Sequence, residues 1–447
     1  MLPMSDNFVG NASIYLVANI VNAAIPFLLM PVLTRVLSPA DYGIIAMFNM
    51  ALGIFGAFTG LSVHGAIAIR YFQMEAHELA QYISTCICIL LLSTFIILIA
   101  IVLFGDRVAQ FVGVPITWLL VAVVLSGVQF IANIQLALWQ VKGQAKHFAS
   151  FQVMQSLINI VISLLLILVA GMAWQGRVLG QVITGGVVSV VAIIWLAKAN
   201  YLVSPIKWRQ YADDALRFGI PLIPHIIGAT MMLVAGRLII THFLDVASTG
   251  IYMVAMQFGM VFGYIGEAFS KAYSPWLYSK LKDESKTSNQ LLVGISYFCF
   301  ISFFVVSCAV GALIYVLFPY FVGNSFLSAR NIVFWLVLGN GFSAMYYVVS
   351  GFIFFSSKTK YISISTVVSG LISLVVTFSL IKPWGILGAG VGFFISQVSM
   401  FLLTWYISAR IYPMPWVDIK ASIKLAFSTL FIKVPEMKKV HGSLIIE

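Results

Sequence analysis

Twelve apolar runs, each about 20 residues or longer and nearly free of charge, divide the 447-residue chain, and this restricts its fold more than any other feature. They lie near 10–33, 42–66, 80–104, 116–138, 148–170 and 178–197, then near 217–240, 250–270, 291–317, 331–354, 362–381 and 386–408. A run of that length crosses a bilayer as a helix, because only a helix satisfies its own backbone polar groups in hydrocarbon. The composition agrees: 61% of residues are hydrophobic, 9% are charged, and the mean hydropathy is +1.04. Soluble domains run at roughly a quarter charged, so a globular cytosolic enzyme is excluded. Disorder is excluded by the hydrophobicity, and an outer-membrane barrel by unbroken apolar runs where alternation would be needed. The chain reads as an all-α integral membrane protein with about twelve transmembrane helices.

The formal net charge of +11 calls for no nucleic acid, since Lys and Arg gather on the cytoplasmic side of membrane proteins. With both termini cytoplasmic, 19 of the 25 Lys and Arg residues fall inside; Arg35, Arg107, Arg177, Arg237, Arg330 and Lys382 fall outside. The connections outside are short, the longest near 318–330, and those inside at 198–216 and 273–290 cannot fold as catalytic domains. That argues against a membrane polymerase or glycosyltransferase and leaves the spans to do the work. Cys86 and Cys88, two apart, point to nearly opposite helix faces and make no chelate. No metal site or cofactor is expected, and without a Walker loop ATP is not the direct energy source.

The polar stretch at 198–216 halves the chain, and the halves resemble each other. At an offset of 207, residues 34–56 match 241–263 without a gap, pairing Thr34 with Thr241, Leu37 with Leu244, Ala40 with Ala247, Gly43 with Gly250, Ile44 with Ile251, Phe55 with Phe262 and Gly56 with Gly263. A weaker match at offset 214 pairs Lys146 with Lys360 and Leu157 with Leu371. An even number of spans per half makes the repeats parallel, an arrangement that places a substrate site between lobes that rock. The expected organisation is an N-terminal lobe at 1–197, a cytoplasmic linker at 198–216, a C-terminal lobe at 217–408 and a basic cytoplasmic tail at 409–447. Lys420 and Lys424 lie four apart in that tail, and the run Leu425–Ile432 is too short to cross. The tail is therefore a helix on the anionic inner surface or a truncated thirteenth span.

The repeat residues also resemble a known family. Leu33-Thr-Arg-Val-Leu-Ser-Pro-Ala-Asp-Tyr-Gly43 is similar to the first external turn of polysaccharide exporters, and Arg217-Phe-Gly-Ile-Pro-Leu-Ile-Pro-His225 resembles the start of the second lobe in Wzx-type O-antigen flippases. Gly250–Gln257, Phe269–Leu277, Trp174–Gly180 and Pro383–Ala389 extend the likeness over about residues 10–410. The resemblance implies a flippase of the multidrug/oligosaccharidyl-lipid/polysaccharide superfamily in a bacterial inner membrane. The implied cargo is an undecaprenyl-diphosphate-linked oligosaccharide, O-antigen or a similar repeat unit, moved outward with coupling to H+ or another ion. Contact with other polysaccharide assembly proteins is implied too. A multidrug or cation extruder of the same superfamily is the alternative, as is a flippase for another cell-wall precursor. Two departures stand out: Gly236-Arg237 replaces an Asp-Arg common in the seventh helix, and residues 411–447 do not make two further spans.

Such a cargo needs cations for its phosphates, and ionisable groups within spans are costly enough to be functional candidates. Arg35 closes the first span and either snorkels or lines the cavity. Arg70 ends the second span as an inner anchor or a cargo contact. Arg237 sits deep in the seventh span and points to a cavity role. Glu267 and Lys271, four apart in the eighth, make an intrahelical pair, or else Glu267 couples an ion and Lys271 grips phosphate. At offset 207 His64 corresponds to Lys271, which suggests a two-sided basic clamp, unless His64 is a neutral packed residue. Pro26, Pro31, Pro221 and Pro224 interrupt the first span of each lobe.

Overall fold

A computed structural model of the chain describes residues 14, 29–220, 223, 236–281, 286–356 and 360–431, apart from a few side chains such as that of Lys271. Every regular element among them is helical: α1 (29–36), α2 (Pro39–Phe58), α3 (His64–Arg70), α4 (Ala76–Val112), α5 (Ile116–Val141), α6 (Ala145–Leu164), α7 (Trp174–Lys198), α8 (Trp208–Gly219), α9 (236–243), α10 (Val246–Leu281), α11 (Lys286–Phe321), α12 (Arg330–Phe355), α13 (Lys360–Trp384), α14 (Ile386–Ile411) and α15 (Ile419–Phe431). Ten helices among the described residues are long and apolar enough to cross a membrane. The two other expected spans, 10–33 and 217–240, fall largely outside the described residues, as do Pro26, Pro221 and Pro224.

The repeat is visible in the element boundaries. Helix α1 ends at 36 and α9 at 243, while α2 starts at Pro39 and α10 at Val246, so the offset of 207 holds to the residue. The helix starts share a capping mechanism. The Ser38 hydroxyl accepts from the Asp41 N–H while the Asp41 carboxylate accepts from the Ser38 N–H, and Asp245 in turn accepts from the Ser248 N–H. The starts of α5 and α12 are 214 apart, matching the second offset.

The correspondence fails at one place. The second span breaks after α2, where Gly60, Leu61 and Ser62 take left-handed φ values of 70°, 49° and 57°, and resumes as α3. Helix α10 runs unbroken through the corresponding positions, 267–269. Distant side chains hold the break: the Gly60 N–H donates to Ser93 Oγ of α4 at 2.8 Å, and Thr59 Oγ1 donates to Ser126 Oγ of α5 at 3.0 Å. A Cβ at Gly60 would fall 2.2 Å from the Phe130 ring, so the position excludes a side chain on steric as well as torsional grounds.

The chain forms two compact units. The first comprises Met1–Gln257, Leu317–Asn331 and Leu380–Ala389. One of its apolar clusters lies around Met47, Phe48, Leu119, Val123 and Val178; another, around Ile67, Ile83, Phe130, Ile134 and Leu138, takes in Tyr211 and Ala215 of α8. The expected linker therefore carries an amphipathic helix docked on α3 and α4. The second unit comprises Phe258–Val316, Ile332–Ser379 and Gly390–Glu447. There α12 is the central helix, 72% of its most apolar stretch being buried, against 17% for α11 and 22% for α13, which suits helices with a face toward lipid. Phe300, Phe352, Phe401, Trp405 and Trp416 pack together, and the Tyr297 hydroxyl donates to the Trp416 carbonyl at 2.8 Å. This holds the connection leading to α15, whose Ser422 and Ala426 lie against Gly294 of α11. The tail helix is thus packed on a neighbour, with Ile419, Ile423 and Phe427 exposed on another face.

Candidate functional site

The two halves of the repeat meet within the first unit, where α2 and α10 begin. A Cβ at Gly43 would lie 1.9 Å from the Val246 carbonyl oxygen, and one at Gly250 would lie 1.9 Å from that of Pro39. Pro39 and Val246 are themselves 207 apart, so the contact is reciprocal and runs backbone to backbone; only glycine allows it. Beside it, the Thr241 hydroxyl reaches Met47 Sδ at 3.5 Å, and Tyr42 packs edge-on to Phe326 at 5.2 Å. The connection between α11 and α12 is tied to α1 at the same end, where the Gly323 N–H donates to Thr34 Oγ1 at 3.1 Å.

Arg35 belongs to this end. Its Nη1 donates to the Pro31 carbonyl at 2.7 Å and its Nη2 to the Tyr320 carbonyl at 2.9 Å. It lines a cavity of about 600 Å³ together with Thr34, Ser38, Pro319, Gly323 and Ser325. Arg35 therefore ties the end of α1 to the last turn of α11 while forming part of a polar wall.

Arg70 lies at the opposite end, on the last turn of α3. Its Nε and Nη2 donate to the two Asp214 oxygens of α8 at 2.8 and 2.6 Å, and its Nη1 donates to Gln73. The Asp214 hydrogen bond comes first among the influences that hold the guanidinium above its ordinary pKa, so Arg70 stays charged. A bidentate pair with a side chain 144 positions away accounts for Arg70 as a fastener of α8.

His64 opens α3 half-buried, its ring edge-on to Phe130 at 4.9 Å. Its Nδ1 is buried and has no hydrogen-bond partner among the described residues. The Lys271 side chain, the other half of the expected clamp, lies outside the described residues. Glu267 is exposed on α10 in the second unit. Arg237 is half-buried near the start of α9.

One cation in this unit was counted in the sequence only as an external-side charge. Arg177 lies one turn inside α7, half-buried, and its Nη1 donates to Asn159 Oδ1 and, at 2.9 Å, to Ser163 Oγ, both on α6. Charge counting assigns a residue to a side of the membrane and says nothing of depth. The available sign was its position after Trp174, inside a run that stays apolar to Trp195.

Comparison with known proteins places this architecture. Residues 32–331 match the family model described as "Polysaccharide biosynthesis protein". An uncharacterized membrane protein of Haemophilus influenzae is 24% identical over 377 residues, covering 82% of this chain and 89% of that protein. A protein of the Lsg locus in the same organism is 25% identical over 393 residues, covering 84% and 94%. Among solved structures, a lipid II flippase MurJ in an inward closed conformation superposes with a TM-score of 0.67 at 15% identity, covering 94% of this chain and 91% of that one. An inward-facing multidrug resistance transporter of the MATE family, in the MOP superfamily, superposes at 0.60 and 16% identity, covering 88% and 94%. The fold is thus that of the MOP transporters, and the family match takes in both halves of the glycine contact. On that match, spanning two-thirds of its length, the chain belongs to the polysaccharide biosynthesis protein family.

Proposed function

We propose that the protein is a flippase that carries an undecaprenyl-diphosphate-linked oligosaccharide from the cytoplasmic to the periplasmic leaflet by alternating access. The observation that carries this reading is the membership of a polysaccharide biosynthesis family by a chain with a transporter fold. The distribution of charge supports it. Arg177 lies within a spanning helix and Arg237 within the seventh span expected from the sequence, whereas Glu267 is the one acidic candidate deep in an expected span, a bias that suits an anionic headgroup better than a cationic drug. In this reading the end bearing Arg35 and the Gly43–Gly250 contact faces the periplasm, and the Arg70–Asp214 end faces the cytoplasm.

Energetics fit a carrier without ATP. One charge moved across the membrane gains or loses roughly 2.3 kcal/mol per 100 mV. A diphosphate of about −2, leaving an interior-negative cell, gains about 4–5 kcal/mol at that potential. Ion coupling, to H+ or another cation, then serves to reset the empty carrier. Deleting the gene tests the reading: a lipid-linked saccharide should accumulate on the cytoplasmic face. Drug sensitivity with no such accumulation would favour the extruder.

A further inference from the structure

We propose that Arg177 is a second cationic contact for the cargo's diphosphate, acting with Arg237 on the periplasmic half of the path. The proposal rests on the reading that the cargo is a lipid-linked diphosphate. Its first support is the state of the charge. Arg70 and Arg217 each pair with an aspartate, but among the described residues no carboxylate lies within ion-pair distance of Arg177. A cation inside a spanning helix is expensive, and one held by two neutral acceptors keeps its full charge for an anion that arrives later.

The second support is how the guanidinium is held. Nη1 alone meets Asn159 and Ser163, which leaves Nε and Nη2, the edge that grips phosphate with two parallel N–H···O bonds, uncommitted among the described residues. The two helices that hold it are closely packed. A Cβ at Gly180 would fall 2.2 Å from Ser163 Oγ, so α6 and α7 touch at this level. Directly beyond Ser163, residues Leu165–Val169 wind into a π turn, a distortion that often marks functional sites.

The third support is the neighbourhood. Val178 and Leu238, the next residues along the chain from the two arginines, pack in the same apolar cluster. The helices that carry the two arginines thus meet at one apolar cluster, which also takes in Met47 and Phe48 of α2. A diphosphate offers two phosphorus centres to such a pair of cations.

The test is equilibrium binding of undecaprenyl diphosphate to the full chain in neutral-lipid nanodiscs, with inorganic pyrophosphate as competitor and thermal melting read in parallel. Arg177→Gln should weaken binding about tenfold and lose competition by pyrophosphate, while Arg217→Gln, which removes an exposed paired cation, should change neither. If Arg177→Gln does not assemble, Arg177→Lys keeps the charge without the fork and should lose affinity severalfold. Folded Arg177→Gln, or Arg177→Lys in its place, with wild-type affinity would overturn the proposal alone, whether or not its melting temperature falls. Wild-type protein that binds no undecaprenyl diphosphate would overturn the cargo reading and the proposal with it.

Discussion

At the scale of single residues, the charged side chains sort by what compensates them. Arg70 and Asp214 compensate each other through a bidentate pair that is about 70% shielded from solvent. Removing either partner should leave the other partly buried and unpaired, costing about 1–2 kcal/mol, and the exchange Arg70→Asp with Asp214→Arg should recover most of it. Thermal melting of the three variants checks this. Arg237 lacks a described carboxylate, and in the proposed cycle Arg237→Ala should stop export at wild-type protein level. Arg237→Lys should lose less if charge dominates and as much if the guanidinium fork does, measured as surface polysaccharide. The Arg237 candidacy was legible because the residue interrupts an apolar run. The Arg70 clamp was not, since Asp214 lies 144 positions away in a stretch that reads only as polar, and Arg177 was hidden by a counting rule blind to depth.

At the scale of elements, the helix starts were the most legible part of the chain. Seven identities at one offset identified two equivalent turns, and the structure keeps that offset to the residue because Ser38 and Asp245 cap the helices at matching points. The break at Thr59–Ser62 left almost no mark. It contains no proline, and its stabilisers, Ser93 and Ser126, sit on other helices. Gly60→Ala should therefore cost about 2 kcal/mol or more, from strain at positive φ together with a clash on Phe130, seen as a lower melting temperature. The Gly43–Gly250 contact yields a different prediction. Gly43→Leu should separate α2 from α10, so that a short thiol cross-linker joins Met47→Cys to Thr241→Cys in a cysteine-free background but fails once Gly43→Leu is added. Unchanged cross-linking would mean that the backbones meet elsewhere.

At the scale of the whole molecule, composition and run length pointed to a helical membrane protein, and ordered motifs pointed to the superfamily whose fold the chain has. The docking of the linker helix and of the tail was less visible, since each is held by partners far off in the sequence, Arg70 with Asp214 for the linker and Gly294 with Ser422 for the tail. A reporter active only in the periplasm should stay silent when fused within 207–214 or after Lys439, and should be active near Val322–Ser325; activity at 207–214 would overturn the orientation. The central claim is the cargo. The purified chain, reconstituted in sealed liposomes carrying an undecaprenyl-diphosphate-linked saccharide, should make the sugar of the protected leaflet accessible to an external lectin, and an outward-positive potential should speed that movement. Liposomes in which the saccharide stays protected while a cationic dye is extruded would contradict the account.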